Sequence, residues 1–331
     1  MQKFRAVRGD SPIGLLNLVR VPLNVIDSSP EGSAMLLQKG STAILAASLL
    51  TCLRPFAAAQ APAPAPFMAH QLAPNVYWVE GGGGNSGVII GDKGVIVVDA
   101  KTTPTGGKEL LDTIAKITPK PVSTVILTHS DGDHVNGLAA FPAGITIIAQ
   151  ENNKKEQEAA LSAGGRGAPP ADHLPTQVVS KNKENLTIDG IKLELHHWVP
   201  AHTSGDLIVY LPEQKIVFTG DIIATQRPDP LIHLEKNGSS EGWITTTKGI
   251  VDLNAERFVP GHGEVQTKAE IQKRLSDTEA KRTKIKDLVA QGKSLEEIKA
   301  AVGDPPPAQG RGGPNFASFT EVVYRELTKK G

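Results

Sequence analysis

Four side chains of metal-ligating type crowd into the stretch Thr128-His129-Ser130-Asp131-Gly132-Asp133-His134: His129, Asp131, Asp133 and His134. The run before them, Val122 to Leu127, is almost wholly apolar and reads as a buried strand. A strand end that aims imidazoles and carboxylates at one point is a natural foundation for a metal site. Three more ligand-type residues stand just after apolar runs further along: His202, Asp221 and His262. Together they read as a two-metal hydrolytic centre, in which a water held between divalent ions becomes acidic enough to serve as a hydroxide nucleophile at neutral pH.

The elements that must position these residues follow from periodicity and turn residues. Val76–Val79, Gly87–Ile90 and the apolar run Val95–Val98, which ends at Asp99, read as strands, the last two joined by the hairpin signal Gly91-Asp92-Lys93-Gly94. Residues 105–117 carry helical spacing at Leu110, Leu111, Ile114 and Ile117. Residues 143–149 read as a strand and 151–161 as a polar helix, followed by a Gly/Pro-rich loop over 162–172. Strands are expected at 186–188, 191–196, 207–211 and 216–219, and helices at 241–253 and 268–291. Ser294 and Glu297 form a capping box for a further helix, and 316–329 closes the chain as another. Strands arrive in two batches, each followed by helices, with ligands from both. The economical architecture is α+β: two packed sheets with helices on their outer faces and the metals at one edge.

The amino-terminal part is of a different character. Residues 1–34 read as an upstream extension ahead of a start at Met35. Residues 35–59 carry a short cationic region, an apolar region too short to span a bilayer and small residues ending at Ala59, the pattern of a secretory signal. Residues 60–69 are an Ala/Pro linker, 70–266 the hydrolase domain, and 267–331 a helical extension packed on it. Cys52, the only cysteine, would leave with the signal, so no thiolate is available as ligand or nucleophile. An exported, periplasmic or secreted protein with no stable membrane insertion after cleavage is expected. With 35 basic and 35 acidic residues and few aromatics, the chain offers no nucleic-acid footprint. A small-molecule substrate is the expected partner, and the oligomeric state is left open.

These residues resemble the metallo-β-lactamase superfamily over about residues 70–270. Its signature is a run His-x-His-x-Asp-His, then His, then Asp, then His. His129, Asp133 and His134 match the run, His202 the next His, Asp221 the bridging acid and His262 the last His. Asp99 matches a buried acid that steadies the site from below. The resemblance implies a four-layer αββα fold and two metal ions, zinc by default with iron or manganese as alternatives. Asp131 departs from the pattern, standing where the family has its second His. It can ligate the first metal directly, or hang back and leave the second site (Asp133, His134, His262, Asp221) dominant. Asp133 is expected to ligate one metal and orient the nucleophile, which makes it the catalytic residue.

The resemblance also implies that Asp at position 221 is usual in thioesterases, lactonases, phosphodiesterases and sulfatases, whereas β-lactamases proper tend to carry Cys or Ser there. The expected reaction is attack on an ester, lactone, thioester or amide carbonyl, β-lactams included. The alternatives are a sulfatase or phosphodiesterase, or a non-catalytic metal-binding accessory protein. His233 and Arg227, in the stretch after Asp221, are candidates for substrate contact, with Lys101 a weaker cationic one. The remaining histidines read as structural (His196, His197) or surface (His70, His173). Gly81–Gly84 reads as a close-packed turn rather than a phosphate cradle, because no helix or Lys-Ser/Thr follows. Ser239 and Ser240 read as a helix cap.

Overall fold

The computed structural model describes residues 67–164, 168–304 and 316–329. The expectations for 1–34, 35–59 and most of the linker fall outside the described residues.

Among the described residues twelve strands form two sheets. The first contains β1 (Met68–Ala73), β2 (Val76–Glu80), β3 (Ser86–Ile90), β4 (Val95–Val98), β5 (Val122–Ile126), β6 (Thr146–Gln150) and β7 (Gln177–Val179), side by side in chain order. Pairing is antiparallel from β1 to β4 and parallel from β4 to β7. Each parallel step beyond β4 requires a crossover, and α1 (Pro104–Ile117) supplies the first. The second sheet runs β12 (Arg257–Val259), β11 (Ile216–Phe218), β10 (Ile208–Leu211), β9 (Ile191–His196) and β8 (Lys183–Ile188). Only its β11–β12 pair is parallel.

The four-layer reading follows from strand alternation. In β4, Ile96 and Val98 face the second sheet, where they join Trp78, Leu195, Val209 and Phe218 in the inter-sheet core. Val95 and Val97 face outward and meet Leu110 and Ile114 of α1. That is why the run is apolar at every position: both faces are covered. The second sheet is covered in the same way. Tyr210, Val217 and Phe258 meet Trp243 of α4 (Ser240–Asp252), Ile271 and Ile285 of α5 (Lys268–Ala290), Ile298 of α6 (Leu295–Val302) and Val322 of α7 (Phe319–Thr328).

Capping chemistry sets several helix ends. Thr103 caps α1 and Pro104 occupies its first turn, so the helix opens one residue before the apolar periodicity suggests. Ser239 caps α4, as expected, and both Thr267–Glu270 and Ser294–Glu297 form reciprocal capping boxes. Three strands lie outside the sequence reading: β1, β7 and β12, the last two only three residues long. One histidine assignment is corrected. His173 is buried rather than on the surface, its Nε2 3.0 Å from the carbonyl of Phe141 and its Nδ1 2.9 Å from Asp172. No helix among the described residues is long and apolar enough to cross a membrane.

Candidate metal centre

The ligand-type residues come from separate segments and converge at one edge of the sandwich. β4 delivers Asp99, and β5 runs through Leu127 and Thr128 into His129. The helical turn α2 (Gly132–Val135) carries Asp133 and His134, with Asp131 at its amino-terminal cap. The loop after β9 brings His202, β11 leads to Asp221 and β12 to His262. Strands set their rise and direction, so residues distant in sequence meet with little freedom.

Two groups result. His129, Asp131 and His202 form one, and Asp133, His134 and His262 the other, each with its ligand atoms within 4.8 Å of one another. In the first, Asp131 Oδ2 lies 3.6 Å from His129 Nε2 and 3.1 Å from His202 Nε2. In the second, His134 Nε2 is 3.4 Å from His262 Nε2 and 3.2 Å from Asp221 Oδ1. His262 Nε2 is 3.0 Å from Asp133 Oδ2 and 3.4 Å from Asp221 Oδ2. Ligands held tetrahedrally around a zinc-sized ion at about 2.0–2.1 Å are separated by about 3.3–3.4 Å. Both groups therefore have the spacing of a donor set able to hold one ion.

Hydrogen bonds at the far side of each ring fix which nitrogen faces that centre. His134 Nδ1 is 2.8 Å from Asp99 Oδ2, a buried carboxylate that also accepts from the amide and hydroxyl of Thr128. Asp99 is held with φ 60°, a left-handed conformation that costs a non-glycine residue energy and persists because these contacts fix it. Thr128 Oγ1, its proton given to Asp99, accepts from His129 Nδ1 at 2.9 Å. His202 Nδ1 donates to the carbonyl of Leu231 at 2.8 Å. In each case Nε2 is turned inward, as metal-ligating histidines are oriented. The inward His129 Nε2 and Asp221 Oδ1 are buried with no hydrogen-bond partner.

The electrostatics have the same sense. Burial alone would raise Asp131 and Asp221, but the imidazoles beside them hold both well below the usual carboxylate range. Burial would lower His202 and His262, yet the facing carboxylates push each up to about 9. Carboxylates this stable need positive charge beside them, which a proton or a metal ion can supply, and the two compete. His129 is the exception, lowered chiefly by burial. Its imidazole stays neutral, which suits a ligand.

Supporting residues lie around the groups. Gly84 abuts His134 so closely that a Cβ there would sit 2.5 Å from Nε2, so the Gly81–Gly84 turn is a wall of the centre. Lys101 is corrected as a substrate contact. It is fully buried, and its ammonium donates to the carbonyls of Val79 and Gly84, which pins that same turn. Burial pushes it down to about 7. Three contributors escaped the sequence reading. Glu156 accepts from Ser130 and Ser204 and so ties together the loops carrying Asp131 and His202. Lys236 reaches Asp131 Oδ1 at 2.5 Å, whereas Arg227 stands exposed on the cleft. Phe316 packs on His233, ring centroids 4.5 Å apart. Polar spacing gives no signal for any of them, because all act across long sequence separations. His196 and His197 take no part: the first stacks on Trp198 and the second binds the carbonyl of Asp206.

A cleft of about 190 Å³ opens over both groups, lined by Asp131, Asp133, Asp221, His262 and His233, with Leu231, Phe316 and the exposed Arg227 further out. Two packed mixed sheets with paired donor groups at one edge and a cleft above them define an αββα metal-centre protein. This chain belongs to the metallo-β-lactamase superfamily, whose family pattern matches residues 79–262.

Relatives spread over several chemistries. The chain is 29% identical over 176 residues to the 2,4-dinitroanisole O-demethylase subunit alpha of Nocardioides sp., covering 53% of this chain and 51% of that protein. It is 26% identical to a metallo-beta-lactamase type 2 of Bacillus cereus, covering 55% and 67%. Among solved structures, a stereoselective inverting sec-alkylsulfatase from Pseudomonas sp. superposes with TM-score 0.61 at 17% identity, covering 79% of this chain and 50% of that one. A metallo-beta-lactamase from Pontibacter korlensis gives 0.54 at 20% identity, covering 64% and 99%. The chain thus spans about half the length of the demethylase subunit and of the sulfatase.

Proposed function

We propose that this chain is an exported hydrolase of small carbonyl substrates (esters, lactones, thioesters or amides, β-lactams included) that works with two divalent ions, zinc by default. The observation that carries the reading is the pair of donor groups, each at tetrahedral spacing, facing one cleft. His129, Asp131 and His202 would hold one ion, and Asp133, His134, His262 and Asp221 the other. Bound there, the ions would acidify a water and polarise a carbonyl.

The chain's own residues supply the rest. Asp133 is the most exposed of the inner carboxylates, with 35% of its side chain accessible. It is placed to orient the attacking water and to take up its proton. Leu231 and Phe316 form an apolar wall that excludes bulk water from the substrate. Arg227 at the mouth would hold an anionic group of the substrate. The proposal of export rests on the signal-like pattern of residues 35–59.

A second reading, sulfate-ester cleavage, is favoured by Arg227 on the cleft and by the likeness to a linear primary-alkylsulfatase of Pseudomonas sp., 22% identical over 214 residues. The test is elemental analysis of the purified chain beside a hydrolysis panel of lactones, thioesters, β-lactams and alkyl sulfates. Turnover of a carbonyl substrate that is lost with a chelator and in Asp133→Asn supports the first reading, and turnover of sulfates alone the second. Two bound ions with no turnover of any panel member would favour an accessory metal-binding role.

A further inference from the structure

We infer that His233 is a ligand of the first metal position and restores the third imidazole that Asp131 removes. The inference rests on the metal-centre reading above and deepens it.

His233 Nε2 lies 3.2 Å from Asp131 Oδ2. With the 3.6 Å and 3.1 Å separations to His129 and His202, one carboxylate oxygen therefore stands at tetrahedral-edge spacing from three imidazole nitrogens. The His233 side chain is 4% exposed, and its Nε2, like that of His129, is buried without a hydrogen-bond partner. The approach to Asp131 is close but lacks the direction of a hydrogen bond. That is the geometry of atoms pointing at a shared centre rather than at one another.

The far side of the ring carries the second observation. His233 Nδ1 is 2.5 Å from Glu235 Oε1. A carboxylate there places the proton on Nδ1 and leaves Nε2 a bare lone pair, the arrangement that carboxylates impose on metal-bound histidines. Beside it His129 Nε2 is equally bare, its ring fixed by Thr128, while His202, fixed by Leu231, turns its Nε2 to Asp131 Oδ2 at 3.1 Å. The two bare nitrogens, of His129 and His233, and the carboxylate oxygen they face repel one another unless a cation stands between them. The edge-on pairing of the rings is also repeated: His202 and His233 meet at 4.8 Å and 84°, as His129 and His202 do at 4.7 Å and 84°.

The segment that carries His233 is built onto the site. The amide of His233 donates to the carbonyl of His202, and the amide of Ser204 to the carbonyl of Lys236. Leu231 orients His202, Glu235 orients His233, and Lys236 holds Asp131 by its outer oxygen, leaving Oδ2 for the centre. Six consecutive residues, 231–236, thus supply one donor and orient two others. The first position would then be held by three imidazoles and a carboxylate, with Asp131 and His233 on the cleft that both positions share.

The experiment is nitrogen NMR of the full wild-type chain with isotopically labelled histidine, loaded with a spin-active cadmium isotope. Scalar coupling from cadmium to His233 Nε2, assigned by its loss in His233→Gln, is the expected result, with chelator competition showing first-site affinity reduced at least about 100-fold in that variant. Coupling at His129 and His202 but not at His233, or unchanged affinity in the variant, would overturn the inference while leaving the metal centre standing. A wild-type chain that takes up no cadmium or zinc would overturn both.

Discussion

Gly84 tests whether the second donor group is a rigid receptor or a loose cluster. A Cβ at this position would lie 2.5 Å from His134 Nε2 and 2.8 Å from Nδ1. An ordinary contact begins near 3.4 Å and the nearest ring atom, Cε1, would be at 2.3 Å, so Gly84→Ala requires a relative movement of about 1.1 Å. Neither side yields easily. His134 is fully buried and tied through Nδ1 to Asp99, and the carbonyl of Gly84 is pinned by Lys101. A donor set tolerates roughly 0.5 Å of misplacement before binding suffers, and overpacking a closed core costs about 1–3 kcal/mol. Gly84→Ala is expected to lose one equivalent of metal by elemental analysis. Its urea midpoint should fall in proportion to that cost, with the slope unchanged. A variant that keeps both its metal content and its stability would refute the claim that this turn walls the centre.

Two further outcomes follow from the lysines that hold the site's walls and donors, Lys101 and Lys236. Lys101 is pushed down to about 7 by burial, so the unfolded chain binds its proton across the window from there to 10.5 while the folded chain does not. Stability therefore rises with pH through that window, by about 2 kcal/mol between about pH 7 and about pH 9, and urea titrations should show this slope flattened in Lys101→Met. Lys236→Met removes the contact that turns Asp131 Oδ2 inward and should weaken the first metal position about 10–100-fold in chelator competition, with the second unaffected.

How much of this was legible in the sequence depends on the range of the interaction. Runs such as Val95–Val98 announce themselves because both faces of the strand are covered, and the helices announce themselves through caps and periodicity. β7 and β12 do not, since three residues carry too little pattern, and their pairing is set by β6 and β11. Lys101 misled for a related reason. Its charge reads as a surface or substrate-binding feature, whereas its place in the fold is decided by two carbonyls in the Gly81–Gly84 turn.

The donor residues show the same division within one site. The sequence singles out His129, Asp133, His134, His202, Asp221 and His262 by residue type and order, and the structure brings them to one edge of the sandwich. His233 was not readable as a donor, since it lies in an irregular segment whose shape comes from hydrogen bonds to the His202 loop. Yet the sequence did hold the clue in another place. Asp131 leaves the first group one imidazole short, and a carboxylate there adds negative charge that burial makes costly. Such a change persists only with compensation nearby, and Lys236 at its outer oxygen, with His233 facing its inner one, has that form. A departure from a pattern is thus informative about residues far from it: it states what the surrounding structure must provide.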